Sequence, residues 1–221
     1  HLAEFLAKRP AYLQMIELPA VQGIIHSLVG PDPNPDHIAE HIVKARWPHA
    51  QGWHADATID VRVESFDIQI FYFPHDTPLE AGGTLILPGS HFRFVHESTV
   101  SRYQNILGQV KTICPAGTVM VAHHGLWHAG QPNLTDKARF LIKLRLNPAV
   151  RQRGLFDMSD NSKEEVSQIL QRDHPWLGAA HRIEILQRLR LWRVVTGSNQ
   201  DYDLWLSRLE GPPMPQSGRA G

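Results

Sequence analysis

A mostly β body, a sandwich or barrel with helices at both ends, is the fold class this sequence predicts, and three observations carry that reading. From about Ile59 to Pro148, short apolar, β-branched and aromatic runs alternate with Gly, Pro and Asn turns, the texture of closely spaced strands. Before residue 37 and after Pro148 the apolar residues recur at helical spacing instead. The length, 221 residues, suits one core, because a single core serves up to roughly 250 to 300 residues. One domain over 1–221 is therefore expected, with a helical segment 1–36, a β core 37–148, helices over 149–210 and a flexible tail 211–221.

In chain order, "AEFLAKRPAYLQMIELPAVQGIIHSLVG" carries Leu13, Ile16, Val21, Ile24, Ile25 and Leu28 at helical spacing, interrupted by Pro10 and Pro19, which predicts two or three short helices. "PDPNPD" at 31–36 reads as a breaker, and "HIAEHIVKARW" alternates as a strand. "DIQIFYF", "GGTLILPGS", "QVKTICPAG", "GTVMVAHH" and "RFLIKLRL" then supply strands bounded by turn residues. After Pro148, "SKEEVSQIL" shows a capping box from Ser162 to Glu165. In "AAHRIEILQRLRLWRVV", Ile185, Leu186, Leu189 and Trp192 share one helix face, while Arg182, Arg188, Arg190 and Arg193 are expected on a solvated face.

Composition narrows the function classes. The 22 basic and 22 acidic residues balance, so no global field draws the chain to nucleic acid or an anionic membrane, and a small-molecule partner chosen by a local site is expected. A lone cysteine, Cys114, forms no internal disulfide and suits a reducing compartment. No apolar run approaches the 18 or so residues that span a bilayer, so a cytoplasmic protein is expected. The chain opens at His1 rather than Met, which suggests trimming at that end. Nothing in the composition sets an oligomeric state.

The chemistry concentrates in histidine, of which there are 14. In "QGWHADATID", His54 and Asp56 lie two residues apart, so on an extended segment both point the same way while Ala55 points away. Two such donors on one ion need a third from a distant strand, and "VAHHGLWHAGQPN" offers His123, His124 and His128. Two histidines and one carboxylate on one face leave neighbouring positions of an iron open for a chelating cosubstrate and dioxygen. Arg139, 11 residues beyond His128, opens the last apolar strand, where its planar fork is suited to a carboxylate.

The order "WHAD", "GGTLILPGSH", "GTVMVAHHGLWHAGQPN" and Arg139 resembles the phytanoyl-CoA dioxygenase family of iron(II)- and 2-oxoglutarate-dependent oxygenases, over roughly residues 40–148. The resemblance implies a double-stranded β-helix, the cupin-like jelly roll. It implies His54, Asp56 and His128 as iron ligands, Arg139 on the far carboxylate of 2-oxoglutarate, and dioxygen as the second cosubstrate. His123 and His124 then become non-ligating, and His91 in "PGSHFR" a structural or rim group. Two positions depart from the family's pattern. Gly130 stands where many relatives have a cosubstrate-binding serine, and Tyr72, eighteen positions after His54, stands where some have tryptophan and is expected to offer its phenol to the cosubstrate. Halogenating relatives carry alanine in place of Asp56, so hydroxylation is expected over halogenation, with ring closure, desaturation and epoxidation open to the same ligand set. The competing readings are a cupin-like metalloenzyme without 2-oxoglutarate and a binding module whose catalysis has lapsed. Lys44 and Arg46 are read as solvated, and substrate selectivity is expected from loops such as 92–108, with Arg93 and Arg102.

Overall fold

The computed structural model describes residues 2–56, 65–93, 97–155, 159, 163–165, 168 and 178–197. The expected capping box at Ser162 and the tail 211–221 lie outside these residues. Three helices open the chain: α1 (Leu2–Leu6), α2 (Pro10–Ile16) and α3 (Pro19–Val29). Pro10 and Pro19, expected as interruptions, each sit in the first turn of a helix, where a missing N–H costs nothing because it would have had no partner.

The first strand, β1, runs Asn34–Val43 and so begins inside the proline-rich stretch that reads as a breaker. The reason is its position. β1 lies at the edge of a four-stranded antiparallel sheet of order β1-β7-β2-β5 and pairs only with β7, and an edge strand tolerates a proline that cannot donate. The other members are β2 (Ile68–Phe73), β5 (Thr118–His123) and β7 (Arg139–Asn147). A smaller sheet, of order β4-β3-β6, holds β3 (Thr84–Ile86), β4 (Val110–Lys111) and β6 (His128–Gly130). β2, β3, β4, β5 and β7 match stretches that the sequence marks as strands, whereas β6, in the segment read for its histidines, is not among them; the architecture is the expected jelly roll with flanking helices.

Strand alternation decides what each face meets. On β2, Ile68, Ile70 and Tyr72 join Leu144 and Leu146 of β7 in a buried cluster with Leu6, Ile16, Ile25 and Val29 of the three helices. The opposite parity, Gln69 and Phe71 on β2 with Arg139, Lys143 and Arg145 on β7, faces the space between the sheets. The smaller sheet repeats the scheme. Trp53, Leu85, Leu87, Val100, Trp127 and Ala129 form a second apolar cluster with Ala55 against it, while His54 and His128 face inward. The apolar clusters thus lie outside the two sheets, and the polar side chains gather between them, with Phe71 and Leu141 among the lining.

Two helices complete the described chain, α4 (Glu97–Val100) and α5 (Ala179–Thr196). On α5 the expected solvated arginine face is corrected at Arg188, which is buried and paired with the fully buried Glu184 one turn earlier. A buried ion pair replaces the exposed charge because the two residues, spaced i and i+4, neutralise each other on the covered side. Ile183, by contrast, is exposed.

Fully buried amides fasten the strands near the site. Asn133, in "GQPN", is 0% exposed; its Nδ2 donates to the carbonyls of Lys44 at 3.0 Å and Lys137 at 2.7 Å, and its Oδ1 accepts from the Thr135 hydroxyl at 2.7 Å. It therefore ties the end of β1 to the turn that launches β7. Asn133→Ala is expected to destabilise the fold by on the order of 3 kcal/mol, because several buried partners lose their bonds at once, and chemical denaturation measures the shift. Gln152 plays the same part beyond β7, bonding both backbone groups of Phe66 and the carbonyl of Leu28.

Candidate metal centre

His54 and His128 are direct partners across an antiparallel bridge, exchanging backbone hydrogen bonds of 3.1 and 2.9 Å. This pairing places the rings with centroids 4.4 Å apart. Each imidazole spends its Nδ1 on the carbonyl two residues earlier, His54 on Gly52 at 2.9 Å and His128 on Leu126 at 3.0 Å. With Nδ1 carrying the proton as donor, each Nε2 is left as the lone-pair nitrogen. Both point toward Asp56, whose Oδ1 lies 3.9 Å from His54 Nε2 and whose Oδ2 lies 3.4 Å from His128 Nε2. Among the described residues these three form the one group whose donor atoms, all within 4.8 Å of one another, are arranged to share an ion. Bonds of about 2.0–2.2 Å to imidazole and carboxylate require only a small contraction of this set.

The electrostatics suit a cation. Burial, reinforced by the neighbouring His54, pushes His128 down to about 4, so its ring is neutral at physiological pH. Burial alone would raise Asp56, but the Lys143 ammonium, with His128 and Gln69 beside it, outweighs burial and holds the carboxyl at about 2. An ionised carboxylate and a neutral imidazole are the forms that bind metal.

Acid sensitivity follows for the metal-free protein. An unfolded histidine titrates near 6.5, so below that pH the unfolded chain takes up a proton that buried His128 refuses until about 4. Stability is therefore lost as pH falls through this window, by roughly 3 kcal/mol for this residue. Asp56 acts in the same direction lower down, since the stability it contributes above 3.8 is lost as pH approaches 2. Unfolding midpoints measured between pH 7 and 4 are expected to fall, and His128→Gln is expected to flatten the upper part of that fall.

A cavity of about 190 Å3 opens beside the triad, lined among others by Gln51, His54, Phe71, His128, Arg139 and Lys143. Arg139 is 6% exposed, donates to the carbonyls of Ala81 and Gln131, and has no carboxylate partner among the described residues. Burial lowers its pKa. Its seat depends on the paired glycines of "AGGT": Gly82 has φ +87°, and a Cβ there would stand 1.9 Å from the Pro132 carbonyl and 2.9 Å from Arg139 Nη1.

Tyr72 is not part of this cavity. It lies on the other parity of β2, packed against the helical cluster, and its strand neighbour Phe71 faces inward, edge-on to His128 at 5.5 Å. Strand parity, not distance from His54 along the chain, decides which of the two reaches the interior. The vacancy at Gly130 is filled by Gln51, whose Oε1 accepts the Gly130 N–H at 3.0 Å and occupies the space a Cβ would need. His123 stacks between Phe66 and His91, its basicity depressed by burial and then by His91 and His124, and His124 bonds the backbone of Asp67; neither joins the triad. Arg46 pairs with Asp136 at the surface, and Arg102 lies over Tyr103.

The residue that sequence reasoning missed is Lys143. Its Nζ lies 2.6 Å from Asp56 Oδ2, with 9% of the side chain exposed, and the signal was available as a cation of inward parity, two pairs along from Arg139, within an apolar strand.

Two imidazoles and one carboxylate on a jelly roll are the defining frame of the non-haem iron oxygenases. The phytanoyl-CoA dioxygenase (PhyH) profile matches residues 3–141, well over half the chain. The chain belongs to this family, whose members use iron(II) and 2-oxoglutarate. No curated protein sequence matches it. Among solved structures, the apo form of the non-heme monooxygenase ThoJ is 24% identical with a TM-score of 0.51, over 59% of this chain and 52% of that one. EvdMO1 is 19% identical with a TM-score of 0.51, over 62% of this chain and 32% of that one. The chain thus spans about half the length of the first and a third of the second, and the likeness is one of fold. No helix among the described residues is long and apolar enough to cross a membrane.

Proposed function

We propose that residues 1–221 form one oxygenase domain that couples 2-oxoglutarate decarboxylation to hydroxylation of a small organic metabolite, releasing succinate and carbon dioxide. The observation that carries this reading is Arg139: a buried guanidinium with no carboxylate partner among the described residues lines the same cavity as His54 and His128. A protein pays for such desolvation when a ligand carboxylate completes the pair.

In this reading His54 and His128, through Nε2, and Asp56 hold iron(II), which when bound supplies the oxidation of the substrate by dioxygen. Arg139 receives the far carboxylate of 2-oxoglutarate and orients it without reacting. Phe71, packed on His128, excludes water from one side of the centre. Lys143 engages one oxygen of Asp56, which favours attachment through the other oxygen alone. Asp56 supplies a carboxylate where halogenation needs room for chloride, so hydroxylation is favoured.

Anaerobic titration with iron(II) and then 2-oxoglutarate tests the reading. A weak visible charge-transfer band is expected when both are chelated. Bound iron with no band on adding 2-oxoglutarate would overturn the cosubstrate assignment.

A further inference from the structure

The cosubstrate reading uses the cavity that holds Arg139, and a second cavity of about 250 Å3 lies against the Asp56–Lys143 ion pair. Its described lining is polar throughout: His37, Asp56, Gln69, Lys143 and Arg145. Of these, His37, Asp56 and Gln69 lie within the segment that the family profile matches, and Lys143 and Arg145 lie beyond it.

The polar groups here are only partly satisfied. Gln69 is 2% exposed. Its Nε2 donates to the His124 carbonyl at 3.2 Å, and its side chain also hydrogen-bonds Asp56, an arrangement that fixes which end of the amide is nitrogen. Its Oε1 is buried with no partner among the described residues. A buried acceptor left unpaired is rare in a folded protein and calls for a missing donor. Arg145 spends Nε on Asp36 at 2.7 Å, leaving its two terminal nitrogens with no hydrogen-bond partner among the described residues. Lys143 spends one of three hydrogens on Asp56. Gln69 and Arg145 are register partners across β2 and β7, so the orphaned acceptor and the guanidinium stand side by side on one face.

We propose that this second cavity binds the organic substrate, a small carboxylic acid bearing a hydroxyl or ammonium group on the carbon next to the carboxylate. The carboxylate pairs with the terminal nitrogens of Arg145, and the adjacent O–H or N–H donates to Gln69 Oε1. An acceptor beside a cationic fork is the complement of an anion beside a donor. The space is equivalent to about eight waters, which suits such a head group. Lys143 lines both cavities and Asp56, one of the triad, lines this one, so an acid held here lies next to the triad. The word substrate rests on the oxygenase reading; the ligand class rests on Gln69 and Arg145.

Calorimetric titration of the metal-free protein, without 2-oxoglutarate, tests the ligand class. The probes are the L-amino acids, their 2-hydroxy analogues, and the matched acids lacking the 2-substituent, such as propionate for alanine and lactate. Binding is expected from at least one amino or hydroxy acid, the set that binds identifying the donor, with the matched unsubstituted acid at least tenfold weaker. Gln69→Leu and Arg145→Lys are each expected to weaken that binding about tenfold, the lysine keeping the charge opposite Asp36 while losing the fork. Gln69→Leu also separates this cavity from Arg139, which it leaves intact. Absence of binding across the set, equal binding of the unsubstituted acid, or binding indifferent to Gln69→Leu would overturn the proposal. With neither iron nor 2-oxoglutarate present, this result and the charge-transfer titration succeed or fail separately.

Discussion

Asp56→Ala is expected to abolish iron-dependent 2-oxoglutarate turnover in chloride-free buffer and to weaken iron(II) binding by more than about a hundredfold. Loss of a partner that merely supports a ligand costs 10- to 100-fold in affinity, and Asp56 is the only carboxylate in the described triad. The substitution also leaves the Lys143 ammonium, 2.6 Å from Oδ2, buried and without its counterion, so a cation faces the place where a dication must bind. Lys143→Met in the Asp56→Ala background separates these effects: it relieves the repulsion without restoring the ligand, so turnover is expected to stay lost. Chloride is excluded because it can occupy the position that alanine vacates. Retained turnover in the single variant would remove Asp56 from the ligand set.

Arg139→Gln is expected to raise the 2-oxoglutarate concentration that half-saturates the charge-transfer band by about a hundredfold, with iron affinity little changed. Removing one partner of a buried, hydrogen-bonded charge pair costs about 2–5 kcal/mol, and each 1.4 kcal/mol is tenfold in affinity. Glutamine preserves a donor for the carbonyls of Ala81 and Gln131, which Arg139 now serves, so the turn stays supported while the charge is lost. The split between unaltered iron binding and weakened cosubstrate binding marks a binding role. A collapse of both would mark Arg139 as structural.

How much of this was legible in the sequence depended on whether period two was carried through. The pair His54 and Asp56 was readable because alternate residues of an extended segment share a face, and Ala55 does pack the other way, against the second cluster. Tyr72 was misplaced because it was chosen by its distance from His54 along the chain. Gln69, a polar residue inside "DIQIFYF", already marked the inward parity and pointed to Phe71. The same count along "RFLIKLRL" places Arg139, Lys143 and Arg145 together, yet the stretch reads first as an apolar strand. Gln51 left no such signal, since its role follows from the missing Cβ of Gly130 across a bridge far away in sequence. The Glu184–Arg188 pair on α5 was visible as i, i+4 spacing, but its burial was not, because a helical wheel does not reveal what covers each face.

Because the apolar clusters lie outside the sheets, each central strand keeps two separate accounts in alternate residues. On β7, Ile142, Leu144 and Leu146 are 9%, 3% and 0% exposed and packed outward or into the core, while Arg139, Lys143 and Arg145 line the two cavities. Evolution can therefore rewrite what this chain recognises by exchanging every second residue, leaving the residues that hold the sheet to the helices untouched. A scan of all substitutions along β2 and β7, scored separately for folded yield and for catalysis, is expected to return two interleaved combs, each with its teeth in the other's gaps.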